Sequence, residues 1–153
     1  PAKAFARIDA AWGQLETIGC LRLQQPRIEL GLLRARALLG LGGVERRREA
    51  RVAAELMIKE GAPWAIGLGH LIRASVHAFA GGDEAARAEL LAGEEHLMSA
   101  GMHGYLQIAR LRGGALEGGT IGNARSATAR EVLSGLGASD TEAVIRHLLP
   151  WPA

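Results

Sequence analysis

A repeat of about forty residues constrains the fold of this chain more than any other feature. Three segments, 32–43, 71–82 and 108–119, align in one frame. Each begins with an apolar residue, carries an arginine at its third position and ends in Gly-Gly. The shared arginines are Arg34, Arg73 and Arg110. Self-similarity at this period is typical of helical repeat arrays, in which each unit buries its apolar face against the next unit.

A second series of glycines interleaves with the first. Gly19, Gly61, Gly101 and Gly137 recur at intervals of 42, 40 and 36 residues. A large apolar residue stands four positions before each glycine, and a small residue stands eight positions before it. In chain order these are Leu15, Met57, Leu97 and Leu133, and Ala11, Ala53, Gly93 and Ala129. Both positions lie on one face of a helix, so each glycine is predicted to end a closely packed helix.

The two series together predict an all-α fold, a tetratricopeptide-like α-α superhelix of about four antiparallel helix pairs in a single domain, 1–153. The first helices of the pairs, called A helices here, are expected at about 3–18, 44–60, 84–100 and 123–136. The second helices, called B helices, are expected at about 26–41, 63–80, 103–117 and 141–149. The abundance of Ala, Leu and Arg favours helix over strand, because these side chains lose little rotamer freedom on a helix.

Helix-start signals agree with these boundaries. Pro26 and Pro63 fall in first helical turns, where a missing backbone N–H is tolerated. Asp83 is predicted to cap the third A helix, and the run Ser139-Asp140-Thr141-Glu142 is predicted to form a capping box for the last B helix.

Composition narrows the class of protein. The chain has 18 basic and 16 acidic side chains, a net charge of +2, which argues against nucleic acid as the partner. The single Cys20 can form no internal disulfide, and no apolar run has the length of a membrane span or a signal peptide. We therefore expect a cytoplasmic protein. Because the chain begins at Pro1 in mid-pattern, we also expect it to be a C-terminal fragment of a longer protein.

Residues 60–153 resemble a known class of sequence. The matching stretches are EGAPW at 60–64, RASVHAFAGGD at 73–83, ELLAGEEHLMSAGM at 89–102, IARLRGGALEGG at 108–119, LSGLGASD at 133–140 and HLLPWPA at 147–153. They resemble the C-terminal tetratricopeptide region of large bacterial serine/threonine protein kinases. Similar arrays also end bacterial transcriptional activators with an ATPase core. The resemblance implies an interaction or sensing tail and no phosphoryl transfer, because the glycine-rich loop, HRD and DFG are missing from this sequence.

The sequence offers no obvious catalytic, metal or cofactor site. His70 and His77, like His96 and His103, are seven residues apart, which separates side chains by about 10 Å along a helix. A zinc ion needs its nitrogen ligands within about 2.1 Å. Cys20 lies in no nucleophile motif. The sequence therefore predicts a protein that is not an enzyme and holds no metal or cofactor. An enzyme would need a histidine and a carboxylate that meet in a pocket only in three dimensions.

Two Gly-Gly pairs raise the hypothesis of a phosphate site. Gly113-Gly114 and Gly118-Gly119 could suggest a phosphate-binding loop, but such a loop normally follows a strand and opens a helix. Here the first pair falls inside a predicted helix, so close packing and chain reversal are the preferred interpretation.

The function predicted from sequence is a non-catalytic protein-interaction module. In arrays of this type the A helices line a concave groove and the B helices form the outer wall. Partner-binding residues are therefore predicted on the second A helix, Arg47, Arg51 and Glu55, and on the third, Glu94. The expected partner is a peptide, a partner helix or an upstream domain of the same chain. Alternatives are nucleic acid, which predicts a continuous arginine stripe, and a small apolar ligand between helices.

The tryptophans and the end repeats also have expected positions. Trp12 and Trp64 are expected in the core. Trp151, in a Pro-Trp-Pro tail, is expected to fold back and cover the last helix pair, because an end repeat must close its open face. Exposed end repeats could also pair between copies, which leaves a homodimer open.

Overall fold

The computed structural model describes residues 1–137 and 140–152, and these residues form eight α-helices. They are α1 (Ala2–Thr17), α2 (Gln24–Leu41), α3 (Val44–Lys59), α4 (Pro63–Phe79), α5 (Asp83–Ser99), α6 (His103–Glu117), α7 (Gly119–Gly135) and α8 (Thr141–Leu148). A 3-10 turn, Cys20–Arg22, joins α1 to α2. The predicted all-α fold is confirmed. The A helices correspond to α1, α3, α5 and α7, and the B helices to α2, α4, α6 and α8.

The glycine series explains where the A helices end. Gly19, Gly61, Gly101 and Gly137 follow α1, α3, α5 and α7 with φ values of 75°, 75°, 68° and 93°. This left-handed conformation suits glycine because it has no Cβ. The start of α7 differs from the prediction near 123. Gly118 and Gly119, with φ of 65° and 60°, reverse the chain at once, so α7 already begins at Gly119.

Helix starts follow the predictions in part. Pro63 is the first residue of α4, and Pro26 lies in the first turn of α2. The predicted Asp83 cap is wrong: Gly82 occupies the cap position and Asp83 is the first helical residue, where its charge still complements the helix dipole. Asp140 caps α8 by accepting a hydrogen bond from the Ala143 N–H at 2.9 Å. Ser139 lies outside the described residues.

Neighbouring helices pack in sequence order from α2 to α7, and α2 also contacts α4. Two buried clusters form the core. One is centred on α2, α3 and α4, with Ile28, Leu38 and Ile72 almost fully buried. The other joins α4, through Leu71 and Ala74, to α5, α6, α7 and α8. Met102 and Tyr105 pack against both clusters and connect them.

Glycines in α4 bring its neighbours unusually close. A Cβ at Gly67 would lie 2.7 Å from the Leu97 side chain of α5, and a Cβ at Gly69 would lie 2.8 Å from the Ala54 carbonyl of α3. The α3–α4–α5 region is therefore tightly closed. The first helix is different: every residue of α1 remains at least partly exposed, and α1 packs only lightly on α2.

The C-terminal tail folds back onto the core, but its contact with Arg112 is on α6 of the third helix pair, whereas the prediction was that it covers the last pair. Trp151 packs against the second core cluster, and the Arg112 guanidinium lies 5.5 Å from the centre of its ring. Burial lowers the pKa of Arg112 below its ordinary value. The tail thus covers part of α6.

Candidate binding cleft

Light packing of α1 leaves a cleft of about 680 Å³ between α1, α2 and α3. The two A helices form its walls and the B helix α2 forms its floor. Ile28 and Met57 are buried at its base, and Gly31 lies on the floor. A cavity of this size is within the range of sites that hold small ligands or the anchoring side chains of a partner.

One wall of the cleft is an exposed apolar stripe on α3. Val52 and Leu56 lie four residues apart on this wall, with 51% and 58% of their surfaces exposed. Trp12 of α1 lines the cleft and is only half-buried, so the prediction that it lies in the core is wrong. Exposed apolar residues that share one face at helical spacing are what a docked helix would cover.

Charged residues surround this apolar surface, and acids outnumber bases. The lining acids are Glu16, Glu45, Glu49 and Glu60, and the lining bases are Arg27, Arg34 and Arg48. Two of the arginines already have carboxylate partners. Arg27 binds Glu60, and Arg34 lies 3.6 Å from Glu49. The remaining charge at the rim therefore favours a basic occupant.

Arg34 has a repeat-related role that the sequence frame did not reveal. Its guanidinium lies 5.3 Å from the centre of the Trp12 ring and 3.5 Å from Asp9 of α1. The same arginine reaches forward to Glu49 of α3. Arg34 thus connects the floor of the cleft to both of its walls.

The other two repeat arginines also bind A helices, Arg73 the following one and Arg110 the preceding one. Arg73 of α4 forms an ion pair with Glu89 of α5, with Nη2 2.7 Å from Oε1. In the third copy the position equivalent to Glu89 is Arg125, and the two arginines Arg110 and Arg125 share Glu94. The repeated arginine is therefore an inter-helix clamp, and its carboxylate partner changes between repeats.

The predicted partner-binding residues lie elsewhere. Arg51 pairs with Glu55 at 3.0 Å along α3, and neither these two nor the half-buried Arg47 lines the cleft. Glu94 of α5 is held between Arg110 and Arg125 with only 17% of its side chain exposed. The structure does not bring the four residues together in one site, and their role in partner binding stays a prediction.

Val52 and Leu56 were missed by the sequence reasoning, although a signal existed. They lie on a different face of α3 from its buried residues Ala50, Ala54 and Met57. Apolar residues outside the core-facing stripe of an otherwise highly charged helix indicate a second contact surface.

A second opening of about 650 Å³ lies on α2, α4 and α6. It is lined by Trp64, Met102 and Tyr105, among others, so the B helices carry a concave surface and not only the outer wall that was expected. Arg36 covers part of it: its guanidinium lies 5.5 Å from the centre of the Tyr105 ring and donates to the hydroxyl at 2.5 Å. Trp64 is half-buried and packs on the core from this side.

One histidine does meet a carboxylate. His70 Nδ1 of α4 lies 2.7 Å from Glu89 Oε2 of α5, and the His70 ring is stacked 6.1 Å from His96. Arg73 binds the other oxygen of Glu89, and the lining residues of the two clefts include neither member of the pair. Over the described parts of the chain, no three His, Cys, Asp or Glu residues form a group that could hold a metal ion.

Comparison with known proteins gives no relative. No protein-family model, curated protein or solved structure matches the chain significantly. A search of the described residues for membrane spans found no helix with the necessary length and apolar character.

At one end of the cleft, Glu60 offers a test by pH. Hydrogen bonds from Arg27, at 2.5 and 2.7 Å, are the main cause that lowers the pKa of Glu60 below its ordinary value of 4.5. A carboxyl with a lowered pKa in the folded state stabilises that state above the ordinary pKa, and this stabilisation is lost as the pH falls through the folded pKa. We expect Glu60→Gln to lower the urea midpoint at pH 7 and to have a smaller effect at about pH 3.

Glu55→Gln is the control, since Arg51–Glu55 is an exposed pair along one helix and should change the midpoint little at either pH. Equal effects of Glu60→Gln at both pH values would contradict the assigned contact.

Proposed function

We propose that this chain is a non-catalytic, tetratricopeptide-like interaction module of a bacterial signalling protein, and that its α1–α3 cleft binds a basic amphipathic helix of a partner domain. The observation that carries the proposal is the exposed Val52–Leu56 stripe above the buried floor of the cleft. The resemblance to the C-terminal regions of bacterial kinases and regulators supports the signalling context.

A helix suits this cleft better than an extended peptide. Val52 and Leu56 form a ridge at i, i+4 spacing on a wall of the cleft that is itself a helix. Such a ridge can fit between the side-chain rows of another helix. Acidic Glu16 and Glu45 at the rim complement Lys, Arg or His beside the apolar face of the partner. An extended peptide that binds by strand addition would instead need an exposed sheet edge, and the elements that line this cleft are helices.

The test is selection of amphipathic helical peptides from a displayed library on the wild-type chain, followed by affinity measurement and NMR mapping. We expect amide shifts to cluster at the cleft, and the Val52→Asp/Leu56→Asp variant to weaken binding at least about tenfold, because two apolar contacts are lost and charge is buried. The double variant should keep its thermal midpoint, since both side chains are already exposed.

Arg47→Ala/Arg51→Ala is the matched control on α3. It removes two of the four residues predicted from the sequence but leaves the cleft lining intact. Loss of binding in this variant, with full binding by the aspartate variant, would contradict the proposal that the cleft is the binding site. The partner would then lie on the face of α3 that carries Arg47 and Arg51. Binding only by nucleic acid, or only by small apolar molecules, would support the alternative classes instead.

A further inference from the structure

The repeat relates the α1–α3 cleft to a second site, in the next repeat, that is already occupied by a side chain of the chain itself. The frame of the first series places Gly31 where the next repeat has His70, and Arg34 where it has Arg73. The second series places Glu49 where the next repeat has Glu89, because each stands twelve residues before its closing glycine. It likewise matches Leu56 with His96. Both sites lie between a B helix and the following A helix, α2–α3 and α4–α5.

In the α4–α5 copy the space is occupied by an imidazole ring. His70 bonds Glu89 at 2.7 Å through Nδ1, and Arg73 holds the other carboxylate oxygen at 2.7 Å. The ring stacks on His96 with the two planes 8° apart. Gly93 of α5 lets the two helices come close at His70, because a Cβ there would lie 3.1 Å from the His70 Cβ. Glu89 consequently keeps only 12% of its side chain exposed.

In the α2–α3 copy the same acceptors are present without the ring. A Cβ built at Gly31 would meet no described atom within 4 Å. Glu49 keeps 50% of its side chain exposed and has Arg34 at 3.6 Å, a looser contact than the one at Glu89. Leu56 stands where the other copy has His96, and Trp12 of α1 adds a second apolar surface. The site therefore has a carboxylate beside an arginine, apolar walls and open space above Gly31.

We infer that the α1–α3 cleft recognises a planar nitrogen heterocycle carrying an N–H donor, supplied by the partner helix as a histidine side chain that occupies the space above Gly31 and donates to Glu49. The inference rests on the proposed function and deepens it, since it names the anchor residue of the partner. The partner supplies in trans the group that His70 supplies within the chain in the next repeat. Charge agrees with this assignment, because a histidine beside Glu49 gains an acceptor in either protonation state.

The first experiment uses 4-phenylimidazole as the probe, titrated into the wild-type chain at pH 8 and followed by NMR. We expect saturable shifts of the Gly31 and Glu49 amides with a dissociation constant on the order of 1 mM, as for a fragment of this size. The 1-methyl analogue, which has no N–H when neutral, should bind about tenfold more weakly. Equal binding of the two compounds would overturn the inference.

Substitutions in the cleft test the same contacts. Glu49→Gln should weaken the probe about tenfold, and Glu55→Gln, its control on α3, should not change it. Gly31→His introduces the ring into the chain itself and should abolish probe binding without lowering the thermal midpoint, because the space is open. Wild-type affinity for the probe in either the Glu49 or the Gly31 variant would contradict the inference.

The helices selected for the proposed function separate the two ideas. We expect them to carry histidine at one position facing the cleft and to lose affinity about tenfold when it becomes phenylalanine. Helices that bind the cleft through purely apolar anchors, while 4-phenylimidazole fails to bind, would overturn the histidine anchor and leave the proposed function standing. Selected helices that bind another face of the protein would contradict both the histidine anchor and the proposed function.

Discussion

Gly114→Ala is expected to destabilise the fold by about 3 kcal/mol, the upper part of the range for overpacked sites. A Cβ at Gly114 of α6 would lie 2.5 Å from the Gly122 carbonyl oxygen and 2.5 Å from Ser126 Oγ on α7. The first of these atoms belongs to the backbone and cannot swing away, so the two helices must separate. Separation would also break the hydrogen bond from Ser126 Oγ to the Leu111 carbonyl. Chemical denaturation measures the loss.

Gly31→Ala is the matched control for this prediction. Gly31 is also inside a helix, but its Cβ direction is open. Alanine should therefore stabilise α2 by about 0.5–1 kcal/mol through its better helix propensity. Equal stability of the Gly114 and Gly31 variants would mean that α6 and α7 do not pack as closely as described.

Leu90→Ala is expected to cost about 3 kcal/mol and to lower the thermal midpoint by about 10 °C. Leu90 of α5 is fully buried in the second core cluster. Truncation removes its apolar contacts and leaves a cavity, which the closely packed neighbours fill only in part.

The adjacent residue provides the control. Leu91 has the same side chain but is 48% exposed, so Leu91→Ala should change the stability by about 0.5 kcal/mol or less. A similar loss in both variants would show that α5 is rotated relative to the described orientation, because neighbouring residues on a helix point about 100° apart.

The place of the candidate cleft follows from uneven packing along the array. The α3–α4–α5 region is closed by glycines and by the His70–Glu89–Arg73 contacts. The first helix has no equivalent contacts, because Gly31 stands where the next repeat has His70. The space beside Arg34 therefore holds no imidazole ring. A less tightly packed element beside an open apolar surface is where partner binding costs the fold least.

The secondary structure could be derived from the sequence by itself. Helix ends are local events, so glycines at fixed intervals, prolines in first turns and one aspartate cap predicted eight helices near their observed positions in the described residues, with the start of α7 four residues too late. The packing role of Gly114 could also be expected, because glycine weakens a helix interior and is favoured there mainly where a neighbouring helix approaches closely. The repeated arginines were recognised as a pattern, but their partners were not.

The site required the tertiary structure. Glu94 contacts Arg110 and Arg125 because atoms of three helices come together there. No local sequence pattern predicts such a contact. The same holds for Trp12, which lines a cleft instead of entering the core because α1 packs lightly on α2. Sequence determines most helix boundaries, because caps and closing glycines act locally, although the start of α7 at Gly119 was not foreseen. Only the relative positions of the helices decide which apolar face is covered and which charges are already paired, because those contacts join residues far apart in the chain.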